Sequence, residues 1–136
     1  PVEVNEAITP VIFWKKEFRP DSGGAGRQRG GLGQIMEVAG ADGIPFDVLA
    51  MFDRVDNPAK GRAGGHDGEP GRISLTSGGK LRPKGQQSIP PHDRLLLHLP
   101  GGGGIGDPSE RDPAQVAEDV RNGLVSKEAA ERDYGN

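Results

Sequence analysis

Glycine is what most limits how this chain can fold: it supplies 23 of 136 residues, most of them in three dense segments at 22–33, 61–71 and 101–106. A glycine brings no side chain to a core and loses more backbone freedom on folding than any other residue. With 12 prolines added, glycine and proline together make about a quarter of the chain, near the composition at which disorder is the default. Charge and apolar patterning argue for order. The net charge is only −3, and three apolar runs, Val11–Phe18, Phe46–Phe52 and Leu95–Leu99, are available to build a sheet. The length fits one small domain over residues 1–136, with no room for two independent cores. Its core is expected to be thin enough to need a neighbour.

Val11–Phe18 lies within an extended stretch from Thr9 to Arg19, rich in β-branched and aromatic residues, which predicts a strand ending at the turn residues Pro20–Gly24. A short second strand is expected over Gln34–Ala39. A third, Phe46–Phe52, is so continuously apolar that burial on both faces is expected. Weaker strands are expected at Arg72–Thr76 and Gln86–Ile89. Arg94–Leu99 predicts a strand with Leu95, Leu97 and Leu99 on one face and Leu96 and His98 on the other. The intervening Asp53–Arg72 is poor in apolar side chains, and loops of that length tend to be functional or disordered.

From residue 112 the pattern changes. Asp112 is placed as an N-cap, Pro113 at the first helical position, and Gln115 three residues on as the reciprocal partner of a capping box. Val116 and Val120 share a face, and Gly123 ends that helix. Ser126 caps a second helix running to Tyr134, with Ala129 and Ala130 inward and Gly135 closing it. The expected fold is therefore α+β: a β-rich antiparallel or mixed sheet with long glycine-rich loops over 1–111, and two short helices over 112–136. Residues 107–136 hold 8 acids against 4 bases, interspersed as on a solvated helical surface.

Without cysteine, disulfides and thiolate metal sites are excluded, which fits a reducing, cytoplasmic setting. No stretch approaches the roughly 20 apolar residues of a membrane span, and Pro1–Glu6 lacks the features of a signal peptide. Pro1 in first place is what initiator removal or upstream truncation would each produce. Gly101–Gly106 satisfies the letters of G-x-G-x-x-G, but Asp107-Pro108 follows it where a dinucleotide site needs a helix. Gly24, Gly26 and Gly30 miss the same spacing, and no Gly-Lys-Ser/Thr ending is present. Exposed amides beside Arg27 and Arg29 would suit an anion; the simpler reading is close backbone packing with the arginines paired to acids. One Arg-Gly-Gly in an acidic chain with few aromatics is poor support for nucleic-acid binding. His66, His92 and His98 lack the helical i, i+4 spacing of a zinc motif. No Gly-x-Ser-x-Gly elbow exists. By themselves the residues name no reaction.

Taken in order, Asp21-Ser-Gly-Gly-Ala-Gly-Arg-Gln-Arg-Gly-Gly-Leu-Gly33, Gly61-x-x-Gly-Gly-x-x-Gly-x-Pro-Gly71 and Pro100-Gly-Gly-Gly-Gly-Ile-Gly-Asp-Pro108 form a recognisable series. Arg111-Asp-Pro113, Asp119-Val-Arg-Asn-Gly-Leu-Val-Ser126 and Tyr134-Gly135 continue it. The series resembles the carboxy-terminal region of the hydantoinase B/oxoprolinase family, from about Trp14 onward. Relatives often carry an aromatic where Ile105 stands and an apolar or aromatic residue where Arg62-Ala63 stands.

The resemblance implies a non-catalytic domain of an ATP-dependent hydrolase that opens hydantoin or 5-oxoproline rings, inactive when isolated. The same domain also occurs in ketone carboxylases of the acetone carboxylase type, and a freestanding anion-binding module is the remaining alternative. ATP, Mg and a further divalent metal are implied for the whole enzyme and none for this chain alone. The implied partners are the remainder of a B-type subunit and an A-type ATP-binding subunit or half, with no nucleic acid and no membrane. No catalytic residue and no metal ligand is expected here. Residues expected to shape a ligand site or an interface are Asp21, Ser22, Gly24, Gly26, Arg27 and Arg29 in the first segment. In the second and third they are Gly64, Gly65, Gly102, Gly103, Gly104 and Asp107.

Overall fold

The computed structural model describes residues 1–135. Its elements run α1 (Val2–Ile8), β1 (Val11–Phe18), β2 (Gln34–Gly40), β3 (Phe46–Met51), β4 (Arg72–Leu75), β5 (Lys84–Ile89), β6 (Arg94–His98), α2 (Pro113–Arg121) and α3 (Lys127–Tyr134). The α+β expectation holds, with every strand pair antiparallel: one sheet is ordered β1-β2-β6-β4, and β3 pairs with β5 in a second.

The core lies between these two sheets. Val38, Leu95, Leu97 and Ile73 from the larger sheet meet Ala50 and Ile89 from the smaller. Leu95 and Leu97 are buried as the strand alternation requires, and Leu96 and His98 face the other way. Gln87 also lies on the inner register of the small sheet, opposite Val48. It is satisfied by its own loop, accepting from Arg82 N–H at 2.6 Å and donating to Arg82 O at 2.7 Å.

Two expectations are corrected. β3 is not buried on both faces: Phe46, Val48 and Ala50 turn inward, while Leu49 and Met51 are 69% and 74% exposed. A two-stranded sheet covers the core on one side only, and none of the described residues covers Leu49 or Met51 on its outer face. In addition α1, which composition did not suggest, packs beside β1; Glu6 Oε1 accepts the edge N–H of Phe13 at 2.7 Å. None of its residues is buried.

The helical end forms a satellite cluster of Val116, Val125, Ala129 and Ala130. Asp112 caps α2 by accepting from Ala114 N–H at 2.9 Å, and Ser126 caps α3 by accepting from Ala129 N–H at 3.1 Å. Gly135, at φ 71°, closes α3 in the left-handed conformation. Gln115 makes no reciprocal capping bond among the described residues, so α2 begins on Asp112 and Pro113 alone.

Candidate functional site

The three glycine segments converge into one body. Residues 101–106 run through its centre, and their hydrogen bonds leave in several directions instead of in the single plane of a sheet. Gly24 N–H donates to Gly102 O (2.8 Å), and Gly102 N–H to Gly31 O (2.9 Å). On another side, Gly104 N–H donates to His66 O (2.9 Å) and Gly101 N–H to Glu69 O (3.0 Å). Arg62 N–H reaches Gly104 O (2.9 Å) and Gly106 N–H returns to Arg62 O (3.0 Å). The outer arms also bond one another, His66 N–H to Ala25 O (2.7 Å) and Glu69 N–H to Ser22 O (2.9 Å), while Gly30 N–H closes the first segment on Gly24 O (2.9 Å).

Backbones approach this closely only because no Cβ stands between them, as at the crowded axis of collagen. A methyl group added at Gly24, Gly30, Gly65, Gly101, Gly103 or Gly104 would fall onto a carbonyl oxygen of a neighbouring segment. The second half of the stretch from Asp53 to Arg72 forms one wall of the bundle.

This geometry gives each expected site residue a place. Gly24, Gly102 and Gly104 commit their amides to backbone carbonyls, as does Gly65, whose N–H bonds Arg62 O at 2.9 Å; Gly26 packs on Ile105 and Gly103 on Lys60. Gly64, at φ +91°, turns the second segment at the surface. Ser22 is fully buried and ties two strands' ends together: its Oγ donates to Arg19 O (2.6 Å) and accepts from Gly33 N–H (2.9 Å). Ser22→Ala is expected to cost about 1–3 kcal/mol, because it strands a buried acceptor and a buried donor at once. A lowered thermal midpoint without loss of cooperativity would be the readout.

Asp21 Oδ1 accepts from Ser126 N–H at 2.7 Å, fastening α3 to the first segment. Asp107 accepts from both Ser109 N–H (2.9 Å) and Ser109 Oγ (2.7 Å), which holds its carboxyl below the usual carboxylate range. A 3-10 turn, Pro108–Glu110, follows it, so the third segment has no α-helix start behind it.

Arg27 is exposed, while Arg29 is already committed and not open to a ligand: its Nε and Nη2 donate to Asp119 at 3.0 and 3.2 Å. Arg111 Nη2 donates to the same carboxylate at 2.8 Å. Asp119 is 8% exposed, and this Arg–Asp–Arg cluster pins α2 to the glycine bundle. Asp119 is not among the residues that the glycine motifs single out. Its signal was present, since an aspartate beside Val116 and Val120 puts charge on the apolar stripe of a helix.

His98 sits in β6 with its pKa lowered, first by burial and then by Arg19, Arg72 and Lys15. The native state therefore disfavours protonated His98 relative to the unfolded chain. Its contribution to stability is present above the unfolded pKa of about 6.5 and is lost as pH falls toward the lower native value. His98→Gln is expected to flatten the acid side of a stability–pH profile in that window.

Five of the six amides of residues 101–106 bond carbonyls of the other two segments, and among the described residues no group of three or more His, Asp or Glu side chains converges on a metal position. Among the described residues no helix is long and apolar enough to cross a membrane.

Residues 1–108 match the model of the hydantoinase B/oxoprolinase family. The chain belongs to that family. Its relatives include the beta chain of caprolactamase from Pseudomonas jessenii, 36% identical over 98% of this chain and 24% of the relative. The B-type chain of a putative D-/L-hydantoinase from Pseudomonas sp. (strain NS671) is 34% identical over 99% of this chain and 24% of the relative. The crystal structure of ATP-dependent caprolactamase from Pseudomonas jessenii superposes with a TM-score of 0.82 at 30% identity, over 99% of this chain and 24% of that one. Nucleotide-free acetone carboxylase shares the fold, with a TM-score of 0.78 at 22% identity over 99% of this chain and 22% of that one. This family member thus spans about a quarter of the length of these relatives.

Proposed function

We propose that this chain is the carboxy-terminal domain of a cytoplasmic ATP-dependent hydrolase that opens a cyclic amide of the hydantoin or 5-oxoproline type. In this reading it braces the enzyme and contributes no catalytic residue. The glycine bundle carries the proposal: the amides of Gly24, Gly30, Gly65, Gly101, Gly102, Gly104 and Gly106 bond carbonyls within it, and Arg29 pairs with Asp119. Such a body is rigid and chemically quiet, suited to hold a wall or an interface and unsuited to grip phosphate.

The exposed apolar side chains Trp14, Phe18, Leu49 and Met51 give the remainder of a B-type subunit, and an A-type ATP-binding partner, surfaces to cover. ATP, Mg and a further divalent metal belong in this reading to those other parts. There ATP supplies activation of the amide carbonyl by phosphorylation before water attacks.

A ketone carboxylase is the second reading, favoured by the shared fold of acetone carboxylase. Identity supports the hydrolase, at 36% to the caprolactamase chain against 22% in that fold match. The test uses the complete enzyme that contains this chain. ATP turnover stimulated by hydantoin, 5-oxoproline or caprolactam without bicarbonate is the expected result. Turnover that requires bicarbonate and a ketone would place it among the carboxylases.

A further inference from the structure

β4 is the terminal strand of its sheet, bridged on its outer edge by Ser74 to Lys80, and along that edge lies a groove of about 350 Å³. Val55, Ile73, Leu81 and Pro83 give it an apolar lining; Arg72 and Lys80 put cationic groups on its rim, beside His98. The edge is closed on both sides of the groove, by Gly71 N–H bonded to Arg54 O (2.9 Å) and Leu75 N–H bonded to Gly79 O (2.7 Å). Antiparallel alternation turns the N–H of Ile73, midway between those two, to the same outer edge.

Positive charge is in surplus here. Arg72 and His98 are cross-strand partners. Arg19 lies behind them, its guanidinium held by Pro70 O (2.8 Å) and Leu99 O (3.2 Å), with Glu69 paired to it at 3.6 Å. Among the described residues neither Arg72 nor Lys80 forms an ion pair.

We propose that this groove binds a small monocarboxylate with an apolar body of about four to six carbons, its volume lying near the lower end of small-molecule pockets. The carboxylate accepts from Ile73 N–H and is held by Arg72 and Lys80 through charge-assisted hydrogen bonds, with the His98 imidazole beside it. The hydrocarbon lies against Val55, Leu81 and Pro83. This assignment does not depend on the reaction proposed for the parent enzyme.

Nuclear magnetic resonance titration of the 136-residue chain with hexanoate, acetate and hexanol at constant ionic strength tests it. Hexanoate is expected to give saturable shifts at the Ile73 amide and the His98 imidazole, and to raise the His98 pKa. Acetate, lacking the apolar body, and hexanol, lacking the charge, are expected to bind at least about tenfold more weakly. Arg72→Gln combined with Lys80→Gln is expected to weaken hexanoate by at least about tenfold with an unchanged melt, and Lys127→Gln on α3 to leave it unaltered. Shifts that never saturate, an equal response to acetate, or full affinity in the double variant would each overturn the site.

Discussion

Gly101→Ala is expected to abolish the cooperative thermal transition of this chain. The added methyl would land on Ser22 O, backbone on backbone, with no side chain able to move aside. Relief requires pushing residues 22–26 away from residues 101–106, which breaks the bond from Gly24 N–H to Gly102 O and exposes the bundle. The expected loss exceeds about 4 kcal/mol, a large share of the roughly 5–15 kcal/mol that holds a domain folded. Gly31→Ala is the matched control, since a methyl there meets nothing within 4 Å and its φ is ordinary. That variant is expected to melt at or slightly above the parent temperature, gaining up to about 1 kcal/mol from a stiffer unfolded chain. Equal melting of the two variants would refute close backbone packing as the reason for the glycines.

Asp119→Ala is expected to be the most damaging change outside the bundle. It leaves Arg29 and Arg111, with side chains only 16% and 9% exposed, facing each other without a counter-ion. Breaking a buried ion pair from one side costs about 3–5 kcal/mol, most of it the charge left behind. The Nε of Arg111 already lacks a partner, so that side chain has little reserve. Replacing all three residues together (Arg29→Met, Asp119→Leu, Arg111→Met) is expected to restore most of the loss, because apolar groups of similar volume need no desolvation. Denaturant melts of the single and triple variants check this. A neutral single variant would mean that the helix pair is held without this ion cluster, by the Val116–Ala130 packing and the Asp21–Ser126 bond.

Strands β1, β2 and β6 and both late helices were legible because they follow the two strongest local signals. Those signals are β-branched and apolar periodicity bounded by turn residues, and helix ends written as Asp112-Pro113, Ser126 and Gly135. What escaped depended on contacts distant in sequence. The exposure of Leu49 and Met51 follows from β3 having β5 as its one partner, which no run of apolar letters reveals. The α1 helix, seven residues with two valines and a Pro1 cap that makes no side-chain bond, carries no local signal for itself. The glycine segments were visible as motifs, but their role was not. Whether a glycine amide faces an anion or a carbonyl is decided by which other segment lies beside it, and residues 101–106 lie against both of the other segments. Arg29 is the same case: its partner Asp119 stands 90 residues away in the chain.

A domain that only braces an ATP-dependent enzyme does no chemistry when it stands alone. Inorganic phosphate release by the purified 136-residue chain is therefore the decisive assay, with ATP, magnesium and either hydantoin or 5-oxoproline, beside a control without substrate. The expected result is no substrate-stimulated release from a sample that melts cooperatively and is therefore folded. Stimulated release from that same sample would contradict the bracing role and place a working active site among the glycine segments.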